Sequence, residues 1–316
     1  MTNCRAFLAA GFAAAVMAVT ATQANAQPKQ ITIFTSVSGS SWYGIGAGMA
    51  DLFAKAGVTS NPELGAGLSN VANVASGKGE LGFTMSPAIT VAKNGQAPFK
   101  APVANVAVIA ALSESVMHII VNADRGIATV GGLKGKPFVT QPPGAITTVM
   151  FEEVLAAYGL KTTDLDLSQG SLTVQQEGLK DRRADGMVSV ASFPSSWVAE
   201  LGSTLPLRLL PVSETAFQAL HARMPTVGRA VIPAGTYKDQ AEAVETITAK
   251  MIIVAPADMP EADAYWITRT LAENVAAVRK LHGSFKDLTV ADMAAVPGGG
   301  LHPGAERYFR EAGVAR

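Results

Sequence analysis

The chain has 316 residues, with 25 Lys and Arg against 25 Asp and Glu and a hydrophobic fraction of 48%. Balanced charge argues against nucleic acid or an anionic membrane surface as partner. The single cysteine, Cys4, lies in the first few residues, so beyond them there is no disulfide, no thiol nucleophile and no cysteine-held metal.

In chain order, Met1–Arg5 carries one positive charge, Ala6–Val19 is apolar, and Ala24-Asn25-Ala26 precedes Gln27. A basic start, a short apolar run and a small-x-small site form the pattern of a cleaved signal peptide over 1–26. The apolar run is shorter than the roughly 20 residues a bilayer span needs. The expected location of the mature chain is therefore the periplasm. Ile31–Thr35 reads as a buried strand, and Trp42–Ala56 as a helix with Ile45, Met49, Leu52 and Phe53 on one face. A short helix over Ser69–Ser76 ends at Gly77, and strands follow at Glu80–Met85, Val106–Leu112 and His118–Asn122.

A second unit opens with a strand at Lys136–Thr140, a Pro142-Pro143-Gly144 turn and a helix over Ala145–Tyr158. Helix Val174–Arg182, strand Ala184–Val190, helix Ser195–Leu201 and strand Leu207–Pro211 come next, then a strand near Lys250–Val254 and helices at Glu261–Leu281 and His302–Ala312. Strands alternating with helices imply an α/β protein with mainly parallel sheets.

In such sheets ligands sit at the carboxyl ends of strands, beside helix N-termini. Four segments at those places share one character: Ser36–Tyr43, Ser86-Pro87, Thr140–Thr148 and Ala191–Trp197 are rich in hydroxyls and contain no charged residue. Such loops suit an anion held by backbone N–H groups and hydroxyls, although Ser and Thr are also ordinary helix caps. Catalytic patterns are missing: no HExxH and no GxSxG occur, and the four histidines (His118, His221, His282, His302) form no ligand-like pair. Gly77-Lys-Gly-Glu-Leu-Gly82 leaves a helix and enters a strand, the reverse of a dinucleotide fingerprint. His118 reads as a satisfied histidine of the core or of a lobe boundary. The residues describe a binding site and no enzyme, and neither a cofactor nor a metal is expected.

Segments spread over nearly the whole chain also resemble the TAXI-type solute receptors of tripartite TRAP transporters. They are Ser38–Tyr43, Asn70–Phe83, Leu133–Lys136, Pro142–Gly144 with Thr147, Leu179–Asp181 with Ala184–Gly186, Val231–Tyr237, and Leu301–Tyr308 with Gly313. The resemblance implies a type II periplasmic-binding-protein fold: two α/β lobes, 27–117 with 224–316 and 118–223, joined by crossing strands around a ligand cleft. It implies a monomer that binds glutamate, glutamine or a related acid and delivers it to the permease subunits of a TRAP transporter. An ABC-type importer or a periplasmic enzyme on the same fold are the alternatives. Carried over residue by residue, the ligand-binding positions are Ser38, Gly39, Ser40, Ser41, Trp42, Tyr43, Asn70, Ser86, Gly144, Thr147, Thr148, Phe193 and Pro194. Trp42, Tyr43 and Phe193 are candidates for an apolar wall. The chain departs from the family at Gly65-Ala66-Gly67, at Gly144-Ala145-Ile146-Thr147 and at Pro87, each time losing a polar group, so a ligand less polar than glutamate is expected.

Overall fold

The computed structural model describes residues 27–314 except Val37, Gly39 and Gly144. The expected signal peptide and the binding positions Gly39 and Gly144 lie outside the described residues.

Among the described residues ten strands form one sheet: β1 Gln30–Phe34, β2 Thr59–Glu63, β3 Leu81–Met85, β4 Ala107–Asn122, β5 Pro137–Thr140, β6 Asp166–Gln169, β7 Gly186–Ala191, β8 Leu207–Leu209, β9 Gly228–Ile232 and β10 Val244–Ala255. Their order is β2-β1-β3-β10-β4-β7-β5-β6, with β8 against β4 and β9 against β10. The helices that matter for the site are α1 Ser41–Lys55, α2 Gly67–Ala75, α3 Pro87–Lys93, α4 Ile146–Ala157, α5 Leu172–Lys180, α6 Ser196–Thr204, α7 Glu214–Arg223 and α8 Glu261–Glu273. Strands β1, β2 and β3 run parallel, as do β5, β6 and β7, so each end of the sheet is a parallel α/β unit. This is the expected fold class.

The two units are joined by the long strands β4 and β10, which run antiparallel to each other. The end of β10 from Met251 to Val254 pairs with β3, whereas its start, Val244–Thr248, pairs with β9. Likewise the first part of β4 pairs with β10, and Val116–Val121 pairs with β7. Both strands thus begin in one lobe and finish in the other. The sequence reads β4 as two strands because Ser113-Glu114-Ser115 interrupts its apolar run. The backbone there continues in the sheet, with Ser115 opposite Ala249 and Glu114 opposite Lys250. The three side chains are polar because they stand at the passage between the lobes, where the strand is half-buried to exposed. Two hydroxyls of β10 reinforce the passage: Thr248 Oγ1 donates to Ser115 O (2.9 Å) and Thr246 Oγ1 to Met117 O (2.7 Å).

Two further differences from the sequence reading have simple causes. Strand β2, Thr-Ser-Asn-Pro-Glu, is polar and contains a proline, which an edge strand tolerates and a central one does not. The expected helix over 261–281 stops at Glu273, where Asn274 leaves helical geometry and its Nδ2 donates back to Thr270 O (2.8 Å).

One buried polar chain pins the second lobe to β4. Ser195 N–H donates to the Tyr237 hydroxyl (3.0 Å), the Tyr237 hydroxyl lies 2.9 Å from His118 Nε2, and His118 Nδ1 lies 3.1 Å from Val116 O. One arrangement satisfies all three contacts: Tyr237 donates to Nε2, and a protonated Nδ1 donates to the carbonyl. That arrangement requires neutral imidazole, and burial lowers the His118 pKa from 6.5 to about 4. The unfolded chain therefore takes up the proton first as pH falls. His118 contributes its full stability above about pH 6.5, and about 3 kcal/mol is lost as the pH drops toward 4. Urea unfolding at pH 7 and pH 4.5 should show this loss in the native protein and a smaller loss in His118→Gln. Equal losses in both would remove His118 as the source.

Candidate functional site

The carboxyl ends of β1 and β3 in one lobe face those of β5 and β7 in the other. Between them lies a cavity of about 620 Å³. The first lobe lines it with Ser36, Ser40 and Trp42 after β1, with Ala66–Ser69 at the start of α2, and with Thr84, Met85 and Pro98. The second lobe contributes Pro143, Ala145, Ile146, Thr147 and Val190, and Ser115 comes from the passage itself. Among the described residues, none that lines it is charged.

Three helices begin at this cavity. The N-cap of α1 is Ser40, whose Oγ accepts from Tyr43 N–H (3.2 Å). The N-caps of α2 and α4 are Ala66 and Ala145, and neither offers a side-chain cap. The first N–H groups of a helix have no partner within it, and alanine leaves them to water or to a ligand. Helix N-termini carry partial positive charge, so the uncharged cavity is electrostatically suited to an anion. Thr84 adds a donor. It is 1% exposed, and its Oγ1 is buried without a hydrogen-bond partner, although buried hydroxyls are normally paired. The first turn of α2 is its neighbour: a Cβ added at Gly67 would lie 3.7 Å from Thr84 Oγ1.

Of the described positions expected from sequence, Ser40, Trp42 and Thr147 line this cavity. Ser38 and Ser41 are exposed beside it, and Tyr43 is half-buried in the first turn of α1. Asn70, Ser86 and Thr148 are buried and turned to the backbone instead. Asn70 Nδ2 reaches the carbonyls of Thr35 (2.7 Å), Phe83 (2.7 Å) and Phe34 (3.3 Å), while its Oδ1 accepts from Ala66 N–H (3.0 Å). Ser86 Oγ donates to Thr226 O (2.8 Å) and accepts from Lys250 N–H (3.2 Å). Thr148 Oγ1 donates to Gln141 O (2.8 Å) and lies 3.0 Å from Thr140 Oγ1. These three residues shape the strand ends and are saturated in doing so.

Phe193 and Pro194 belong elsewhere. With Glu114, Lys250, Lys286, Asp287 and Asp292 they line a second opening between the lobes, of about 610 Å³. Neighbouring residues of a strand point to opposite faces, and accordingly Ser115 lines the uncharged cavity and Glu114 the charged one.

Thr84, Met85 and Val190 escape sequence reading. Thr84 sits in an apolar strand, where a threonine is an ordinary β-former, and only its position at the strand's carboxyl end points to a ligand. Among the described residues no cluster of His, Cys, Asp and Glu is placed to hold a metal ion.

The sequence matches a protein-family model, the NMT1-like family, over residues 33–313. The chain belongs to the NMT1-like family. Solved structures similar to this NMT1-like chain include XAC2383 from Xanthomonas citri bound to ATP, with a TM-score of 0.55 and 10% identity over 91% of this chain and 97% of that one. PhnD1 from Prochlorococcus marinus, in complex with methylphosphonate, has a TM-score of 0.54 and 12% identity over 91% of this chain and 100% of that one. The periplasmic aliphatic sulphonate binding protein SsuA from Escherichia coli has a TM-score of 0.46 and 16% identity, covering 81% and 80%. At such identities the likeness speaks for the fold, that of the type II periplasmic binding proteins.

The geometry separates two kinds of polar residue. Asn70→Ala strands the carbonyls of Thr35 and Phe83 and should lower unfolding stability by about 2–4 kcal/mol in urea titrations. Thr84→Val removes a hydroxyl that has no partner and should leave the stability of the empty protein unchanged or slightly higher. A large loss in Thr84→Val would mean that its hydroxyl is already engaged.

Proposed function

We propose that this chain is an extracytoplasmic solute receptor that closes on a small organic anion and delivers it to a membrane importer. The observation that carries this reading is the uncharged cavity between the lobes, onto which the starts of α1, α2 and α4 converge. In the open protein, ligand would enter from water and meet the first lobe at Ser40, Trp42 and the start of α2. Rotation about the passage in β4 and β10 would bring Ala145–Thr147 against it. Only a ligand that touches both lobes favours the closed form, by the difference of its contacts in the two states. The lining offers no histidine, cysteine, carboxylate or lysine to act as nucleophile or general base, which supports binding without turnover. Methylphosphonate bound to PhnD1 is in keeping with a small anion on this fold.

The TRAP-type permease rests on the sequence segments alone. Neither the family match nor the fold neighbours carry it, and an ABC-type importer is placed first among the partners. The division into lobes is proposed to follow the passage in β4 and β10. Gene neighbours separate the partners: an adjacent ATPase supports the ABC-type reading, and a fused multi-span permease restores the TRAP-type one.

The receptor reading is tested by a thermal-shift screen of Gln27 onward against carboxylates, sulfonates and phosphonates. A ligand at a hundredfold excess over its Kd stabilises by about 2.7 kcal/mol and should also alter the emission of Trp42, which lines the cavity. Thr147→Ala should weaken the best ligand about tenfold in calorimetry, the effect of one charge-assisted hydrogen bond. If no organic anion raises the melting temperature, the receptor reading fails.

A further inference from the structure

We infer that the ligand is an amine-free organic anion with an apolar body, and not an amino acid; this rests on the receptor reading above. An α-ammonium taken out of water needs a carboxylate or several well-aimed acceptors, since an unpaired buried cation is strongly disfavoured. Among the described residues no Asp or Glu lines the cavity, and the residues between Ser36 and Ser40 and between Pro143 and Ala145 in sequence carry no charge. Glu114 of the passage lines the other opening, together with Asp287 and Asp292.

What does face the cavity is of the opposite sense. Two uncapped helix starts, at Ala66 and Ala145, present partial positive charge from opposite lobes. They attract an anionic head and repel an ammonium. The independent mark of a ligand is Thr84 Oγ1, 99% shielded from solvent by the residue's burial and without any partner in the protein. Because its neighbour is the start of α2, a head group held there receives the hydroxyl proton and the free N–H groups together. Beside the hydroxyls of Ser36, Ser40, Ser69, Ser115 and Thr147, the apolar part of the lining (Trp42, Leu68, Met85, Pro98, Ile146, Val190) suits a hydrocarbon or ring body.

The test uses pairs of acids that differ only by the amine: hexanoate against norleucine and glutarate against glutamate, titrated by calorimetry into the protein from Gln27 onward, with benzenesulfonate and methylphosphonate as further anions. In each pair the amine-free acid should bind at least about tenfold more tightly, and Thr84→Val, folded and as stable as the native protein, should bind it about tenfold more weakly. Amino acids binding as tightly as their amine-free partners would overturn this inference while leaving the receptor reading intact. Equal affinity of Thr84→Val and the native protein for the amine-free acid would overturn the placement of the head group. Silence of every acid, sulfonate and phosphonate included, would sink the receptor reading and this inference with it.

Discussion

The Asn70 carboxamide is the constraint on which the first lobe's binding surface depends. Its amide N–H group donates to the carbonyl of Thr35, just past β1, and to that of Phe83 within β3, and its carbonyl oxygen takes the N–H of Ala66, one residue before α2. A single planar group therefore sets the distance between two strands and the start of a helix. Gly65 must be glycine for the same reason, because a Cβ there would collide with Asn70 Oδ1. With Ala66 N–H consumed by Asn70 and no side-chain cap supplied by Ala66, the first turn of α2 stands uncapped at the cavity lining.

The second lobe obeys the same logic with different residues. Thr148 fastens the Gln141–Pro142 turn ahead of α4, so that Ala145–Thr147 stand at the cavity. The His118–Tyr237–Ser195 chain holds the start of α6 against β4. In both lobes a buried side chain saturated by backbone stands behind a helix start, while the lining in front of it is small, hydroxylated or apolar.

This division explains what could be read in the sequence. The alternation of strands and helices, the α1 face of Ile45, Met49 and Phe53, and the hydroxyl-rich loops were legible because periodicity and turn chemistry are local. Strand β2 was not, being a polar edge strand with Pro62, and neither was the unity of β4, whose polar middle belongs to the passage between lobes. Within the site, Asn70, Ser86 and Thr148 carry the polar atoms expected of ligand contacts. A sequence does not say which way such an atom points, and here each meets a carbonyl of its own chain. Thr84 is the converse, a residue whose strand looks like plain core and whose hydroxyl has nothing inside the protein to bond.

The uncharged lining also bears on the range over which the proposed receptor would act. A receptor that recruits its ligand with surface lysines and arginines loses attraction as ions accumulate, since charges separated by more than about 8 Å are screened at physiological ionic strength. Here the described lining is uncharged, and its positive potential comes from the peptide dipoles at the starts of α1, α2 and α4. Under the proposed function, capture at such a surface would act at contact range and would depend less on long-range steering than recruitment by surface lysines and arginines does.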